Sequence, residues 1–137
     1  MRATIAAAAA AAFVATGALA QGSATLTVNL DCASAEGRVM IGLYDSQAAY
    51  DGDRPLRTVA AEPGRPVRVG GLAPGRYAIK SFHDVNGNGK MDTNPFGMPT
   101  EPFAFSNNAK GSMGPASWEA AAFTVEATGA AQTLVLK

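Results

Sequence analysis

The densest concentration of possible ligand atoms in the chain is His83-Asp84-Val85-Asn86-Gly87-Asn88-Gly89-Lys90-Met91-Asp92. Side-chain oxygens recur at Asp84, Asn86, Asn88 and Asp92, and Gly89 interrupts them. Counted from Asp84, these are positions 1, 3, 5 and 9 of a calcium-binding loop, with glycine at position 6. Lys90 falls at position 7, where such a loop offers a main-chain carbonyl. Calcium prefers hard oxygen donors, and alternate residues of a tightly curled backbone can aim theirs at one point. The cofactor expected is therefore Ca²⁺, held by Asp84, Asn86, Asn88 and Asp92 and by the Lys90 carbonyl.

The pattern departs from a complete EF-hand. Position 12 should be a bidentate glutamate and is Pro95, and no helical periodicity flanks the loop. Only two carboxylates are supplied locally, so Glu101, Asp45 or Asp51 would have to complete a tight site. With so few charged ligands the expected dissociation constant is about 10⁻⁴–10⁻³ M. A plain turn is the competing reading. Asn-Gly-Asn-Gly accepts positive φ readily, and Asn and Asp side chains bond to their own backbone.

His83 is the only histidine and Cys32 the only cysteine, which excludes multi-histidine and thiolate zinc sites. A hydrolase built on His83 lacks a G-x-S-x-G elbow. Strand alternation would also send His83 and Asp84 to opposite faces, against a triad. The expectation is a non-enzymatic protein in which His83 ends a strand and bonds to loop backbone. Cys32 reads as a small, partly buried residue at the end of the first strand.

After Asp92 the chain runs without regular periodicity to Glu119, yet carries Phe96, Phe103, Phe105 and Trp118. So aromatic a stretch is poorly suited to disorder. It reads as an ordered flap packed on a rigid domain. Its aromatics either form a satellite core or stack on a sugar or peptide, with Asn107, Asn108 and Lys110 supplying polar contacts.

The elements that must hold these residues are strands. The chain has 137 residues, 15 glycines and eight prolines, and the latter two cluster between short apolar runs, the punctuation of an all-β domain. Arg2, the Ala-rich run from Ala3 to Ala15 and the small-residue site Ala18-Leu19-Ala20 predict a signal peptide over residues 1–20, cleaved after Ala20. Residues 21–137 are then one exported domain, periplasmic or secreted. They contain no run near the roughly 20 apolar residues of a membrane span. Lysine plus arginine number 11, against 11 acidic residues, with no basic stripe, so no nucleic acid is expected.

Ala24, Leu26, Val28 and Leu30 alternate with polar residues, the period of a half-buried strand. Val39, Ile41 and Leu43 define a second strand. Ser46 caps a helical turn over 47–50. Weaker strands follow over 56–61 and 66–69, and Ala73-Pro74-Gly75 predicts a type II turn. The strand 76–83 has apolar groups on both faces, as a central strand does, and 121–127 and 131–137 complete about seven. The fold expected is a two-sheet β-sandwich, immunoglobulin-like or transthyretin-like, with one long ordered loop before its last two strands.

Several of these segments together resemble the bacterial domain of unknown function family 2141. They are the His83–Asp92 run, Phe105-Ser106-Asn107-Asn108-Ala109-Lys110-Gly111, Gly114-Pro115, Gly71-Leu72-Ala73-Pro74-Gly75-Arg76-Tyr77-Ala78 and Gly37-Arg38-Val39-Met40-Ile41-Gly42-Leu43-Tyr44-Asp45. The resemblance covers roughly residues 24–136 and implies an exported β-sandwich, with no reaction to carry over. The function expected is binding or structural, with a calcium-stabilised loop. The alternative is a metal-free interaction module for a peptide, glycan or cell-envelope partner.

Overall fold

The computed structural model describes residues 22–111 and 114–137. The signal peptide expected over residues 1–20 lies outside the described residues. Eight strands are described: β1 (Ala24–Cys32), β2 (Arg38–Tyr44), β3 (Arg57–Ala61), β4 (Val67–Leu72), β5 (Gly75–Asp84), β6 (Phe103–Phe105), β7 (Phe123–Val125) and β8 (Ala130–Leu136). They make two sheets in a β-sandwich. One has the order β4-β1-β8, and the other β3-β2-β5 with β6 and β7 both along the free edge of β5. β1 pairs antiparallel with β4 and parallel with β8.

Alternation decides which side chains meet between the sheets. Ala24, Leu26, Val28 and Leu30 of β1, Val39, Ile41 and Leu43 of β2, and Leu134 and Leu136 of β8 are all buried. They share one core with Val69, Tyr77, Ile79 and Val125. Each large aliphatic group so buried contributes about 1.5–3 kcal/mol. Cys32, the last residue of β1, is half-buried against this core, as its position predicts.

A second apolar cluster covers the outer face of the five-stranded sheet. α1 (Gln47–Asp51), capped by the Ser46 hydroxyl, brings Tyr50 onto Tyr44 and Ala78. α2 (Trp118–Ala121), capped by Ser117, adds Ala121 and the half-buried Trp118, whose ring meets Tyr50 edge-on at 5.9 Å. Lys80 extends from β5 under these rings, 4.4 Å from the centre of Tyr50 and 2.7 Å from its carbonyl oxygen. This cluster gives β5 its second apolar face and makes it a central strand.

Two expectations are corrected. The segment read as lacking strands contains β6, because Phe103-Ala104-Phe105 is too short for alternation to register. It becomes a strand by pairing with Lys80–Phe82 of β5. The type II turn at Ala73-Pro74-Gly75 does not form. Gly71 takes the positive φ, 72°, and Gly75 does not. Here the chain passes from one sheet to the other rather than reversing within one.

Candidate functional site

The loop begins where β5 ends. Alternation turns His83 inward and Asp84 outward. The His83 ring is fully buried, and its Nε2 donates to the Glu36 carbonyl at 2.5 Å. A neutral ring therefore carries its proton on Nε2, and Nδ1 is a buried acceptor with no partner. His83 bonds to backbone, as expected, but to the β1–β2 connection rather than to the long loop. Gly37 lets that connection lie flush against the site. Its φ is 69°, and a Cβ there would stand 2.0 Å from the Asp84 carbonyl oxygen.

Asp84 is only 3% exposed, because the loop curls back over it. The turn depends on Gly89, whose φ of 83° favours glycine and aims its N–H at Asp84 Oδ2, 2.7 Å away. Asp84 Oδ1 is buried with no hydrogen-bond partner. Among the described residues no lysine or arginine forms an ion pair with this carboxylate.

The other predicted ligands gather on Asp92. Asn88 Nδ2 donates to Asp92 Oδ1 at 2.6 Å, and Asn86 Nδ2 donates to Asp92 Oδ2. The two amide oxygens accept from backbone N–H groups, Asn86 Oδ1 from Asn88 at 3.2 Å and Asn88 Oδ1 from Lys90 at 3.1 Å. The fold thus brings Asn86, Asn88 and Asp92 together, with Asp84 tied to the same curl through Gly89. Asn86, Asn88 and Lys90 are exposed and Asp92 is half-buried, so the loop opens to solvent on one side.

Of the three distant carboxylates considered, Glu101 is the one that reaches the loop. It is 8% exposed and accepts from Val85 N at 2.8 Å through one oxygen and from Asp92 N at 3.1 Å through the other. It fastens the two ends of the loop rather than filling a ligand position. Asp45 and Asp51 lie instead beside Tyr77 and Tyr50. Among the described residues no three His, Cys, Asp or Glu side chains converge as a metal cluster. The available donors are two carboxylates, two amide oxygens and a main-chain carbonyl. Such an all-oxygen set suits calcium and not zinc.

The four flap aromatics divide. Phe105 and Trp118 belong to the outer cluster, while Phe103 is 46% and Phe96 89% exposed. Asn107 and Asn108 hold positive φ angles of 60° and 49°, and their side-chain N–H groups are taken up by backbone. Asn107 Nδ2 donates to the Ala120 and Ala122 carbonyls. Asn108 donates to Thr133 O and accepts from Val135 N, occupying the free edge of β8 as a strand would. Together they fasten the flap across both sheets. Ser106 does likewise from a fully buried position, accepting from Ile79 N at 2.8 Å and donating to Ala121 O at 2.5 Å. Only the Ser-Asn-Asn run, with its tolerance of left-handed backbone, could have signalled this.

Sandwich and loop together define a β-rich two-sheet domain with a fastened flap on one edge. The chain belongs to the family described as an uncharacterized protein conserved in bacteria (DUF2141), whose profile matches residues 28–133. No curated protein and no solved structure matches the chain.

Proposed function

We propose that this is an exported, non-enzymatic binding or structural domain of the periplasm or extracellular space, whose 84–92 loop takes Ca²⁺. The observation that carries the reading is Asp84. One of its oxygens is oriented by the Gly89 N–H, and the other is buried without a hydrogen bond or a paired basic side chain among the described residues. An unpaired buried carboxylate is costly, and a bound cation removes that cost. Asp84 and Asp92 supply the charge, and the Lys90 carbonyl adds a neutral donor. Asn86 and Asn88, whose amides already lie against Asp92, turn their oxygens toward the ion. Calcium then rigidifies the loop and the flap that follows it.

His83 supports the non-enzymatic part of this reading, since neither ring nitrogen is open to a substrate. Thermal melting with calcium and with chelator tests the metal. At about 10 mM calcium, roughly 10 to 100 times the expected dissociation constant, binding stabilises by about 1.4–2.7 kcal/mol, several degrees in a domain of this size. An unchanged midpoint at about 10 mM calcium overturns the calcium reading. The loop is then a metal-free turn held by Glu101, and the protein a metal-free interaction module. An open groove of about 770 Å³ along Phe103, Phe105, Lys110 and Val135 would be its surface for a peptide, glycan or envelope partner.

A further inference from the structure

The tip of the long loop, Thr93 to Thr100, presents two large apolar side chains to water. Phe96 is 89% and Met98 61% exposed. The segment carrying them is tightly built. Thr93 and Pro99 form a β-bridge at its base. Asn94 organises the turn, donating its N–H to Met98 O at 2.8 Å and accepting from Gly97 N on its own carbonyl at 2.9 Å. Its side-chain oxygen accepts from Phe96 N at 2.9 Å and Met98 N at 3.0 Å. Thr100 N donates to Asp92 O at 2.9 Å. Pro95 and Pro99 have no N–H at all. Every backbone donor from Asn94 to Thr100 is therefore satisfied inside the tip or absent.

That arrangement is what entry into an apolar medium requires. A loop carrying free N–H groups into lipid loses their hydrogen bonds to water, at several kcal/mol each. From Asn94 to Thr100 the backbone loses none, and Thr93–Thr100 contains no charged residue. A peptide or sugar site depends on a few placed polar groups for specificity, and here the backbone donors from Asn94 to Thr100 are already used. Lipid needs no such donors. The carbonyls of a shallowly inserted tip stay in the headgroup layer, where water reaches them.

We infer that Phe96 and Met98 form a membrane-docking tip that inserts into the interfacial layer of a phospholipid surface. The inference stands apart from the calcium reading. Two side chains make a weak anchor, so binding appears at millimolar lipid.

The test is sedimentation of the folded domain with vesicles of phosphatidylethanolamine and phosphatidylglycerol, in calcium and in chelator. The wild-type protein should pellet in proportion to lipid. A Phe96→Ser, Met98→Ser double variant should lose about tenfold or more in partitioning. Its melting midpoint should be unchanged, because both side chains already face water. In a Phe96→Trp variant, added vesicles should shift the emission to the blue, which the wild-type Trp118 will not show. Wild-type protein that stays in the supernatant under both conditions overturns the proposal. A double variant that pellets like wild type also overturns it. The calcium reading is judged separately, by the melting shift.

Discussion

Asp84 and Gly89 are five residues apart, and the N–H of the second meets one carboxylate oxygen of the first at 2.7 Å. The other oxygen is buried beside them without a partner. The contact closes the loop and leaves a single negative atom oriented and uncompensated.

Replacing that carboxylate should therefore have opposite effects in two buffers. In chelator, Asp84→Asn keeps an oxygen for Gly89 and removes the buried charge, so its melting midpoint should equal or exceed that of wild type. In about 10 mM calcium the wild-type midpoint should rise by several degrees. That of Asp84→Asn should not move. Two parallel melting curves for each protein are sufficient, and a variant that still gains from calcium contradicts the assignment.

Glu101 should prove a structural residue with or without metal. Its oxygens accept from Val85 N and Asp92 N, and truncation leaves two partly buried donors. Glu101→Ala should cost about 2–4 kcal/mol in urea unfolding. The amides of Val85 and Asp92 should exchange faster with deuterium than in wild type. Unchanged exchange at both would show that the carboxylate does not hold the loop.

Ser106 offers a cleaner deletion. Its fully buried hydroxyl bonds both Ile79 N in β5 and Ala121 O at the end of α2. Ser106→Ala removes both bonds with little change in volume and should destabilise the domain by about 2–4 kcal/mol. Trp118 fluorescence should report loosening of the flap at lower denaturant than circular dichroism reports loss of the sheets.

The tyrosine cluster should set the alkaline limit of stability. Burial, with the charge of Asp51, pushes Tyr50 up to about 12. Burial and the hydrogen bond to Asp53 raise Tyr44 further still. An unfolded tyrosine ionises near 10, so above that pH the unfolded chain releases protons that the folded chain retains. Stability should be steady up to about pH 10 and fall as the pH climbs toward 12. Denaturant midpoints across that range would show it. Tyr50→Phe, though less stable at neutral pH for want of its bond to Ala116 O, should show a shallower decline.

Much of the sandwich could be read from local pattern. Alternation in Ala24–Leu30, Val39–Leu43 and Leu134–Leu136 marked the core faces, because a strand half-buried in a sheet repeats every second residue. The Ser46 cap predicted α1 for an equally local reason. β6 carries no local signal, because three residues have no measurable period and only pairing with β5 makes them a strand.

For the loop, the chain alone determined which ligand types are available and in what order, since the spacing Asp84-x-Asn86-x-Asn88-Gly89-x-x-Asp92 is a property of covalent sequence. Tertiary structure decided their condition. Burial of Asp84 depends on a curl closed by Gly89 and on Gly37 arriving from the β1–β2 connection. Glu101 meets the loop because it lies just before β6, which returns the chain alongside β5. The exposure of Phe96 and Met98, and the burial of Phe105, follow from the same return path. No local pattern distinguishes these apolar side chains. What separates them is which side of a folded flap each one occupies.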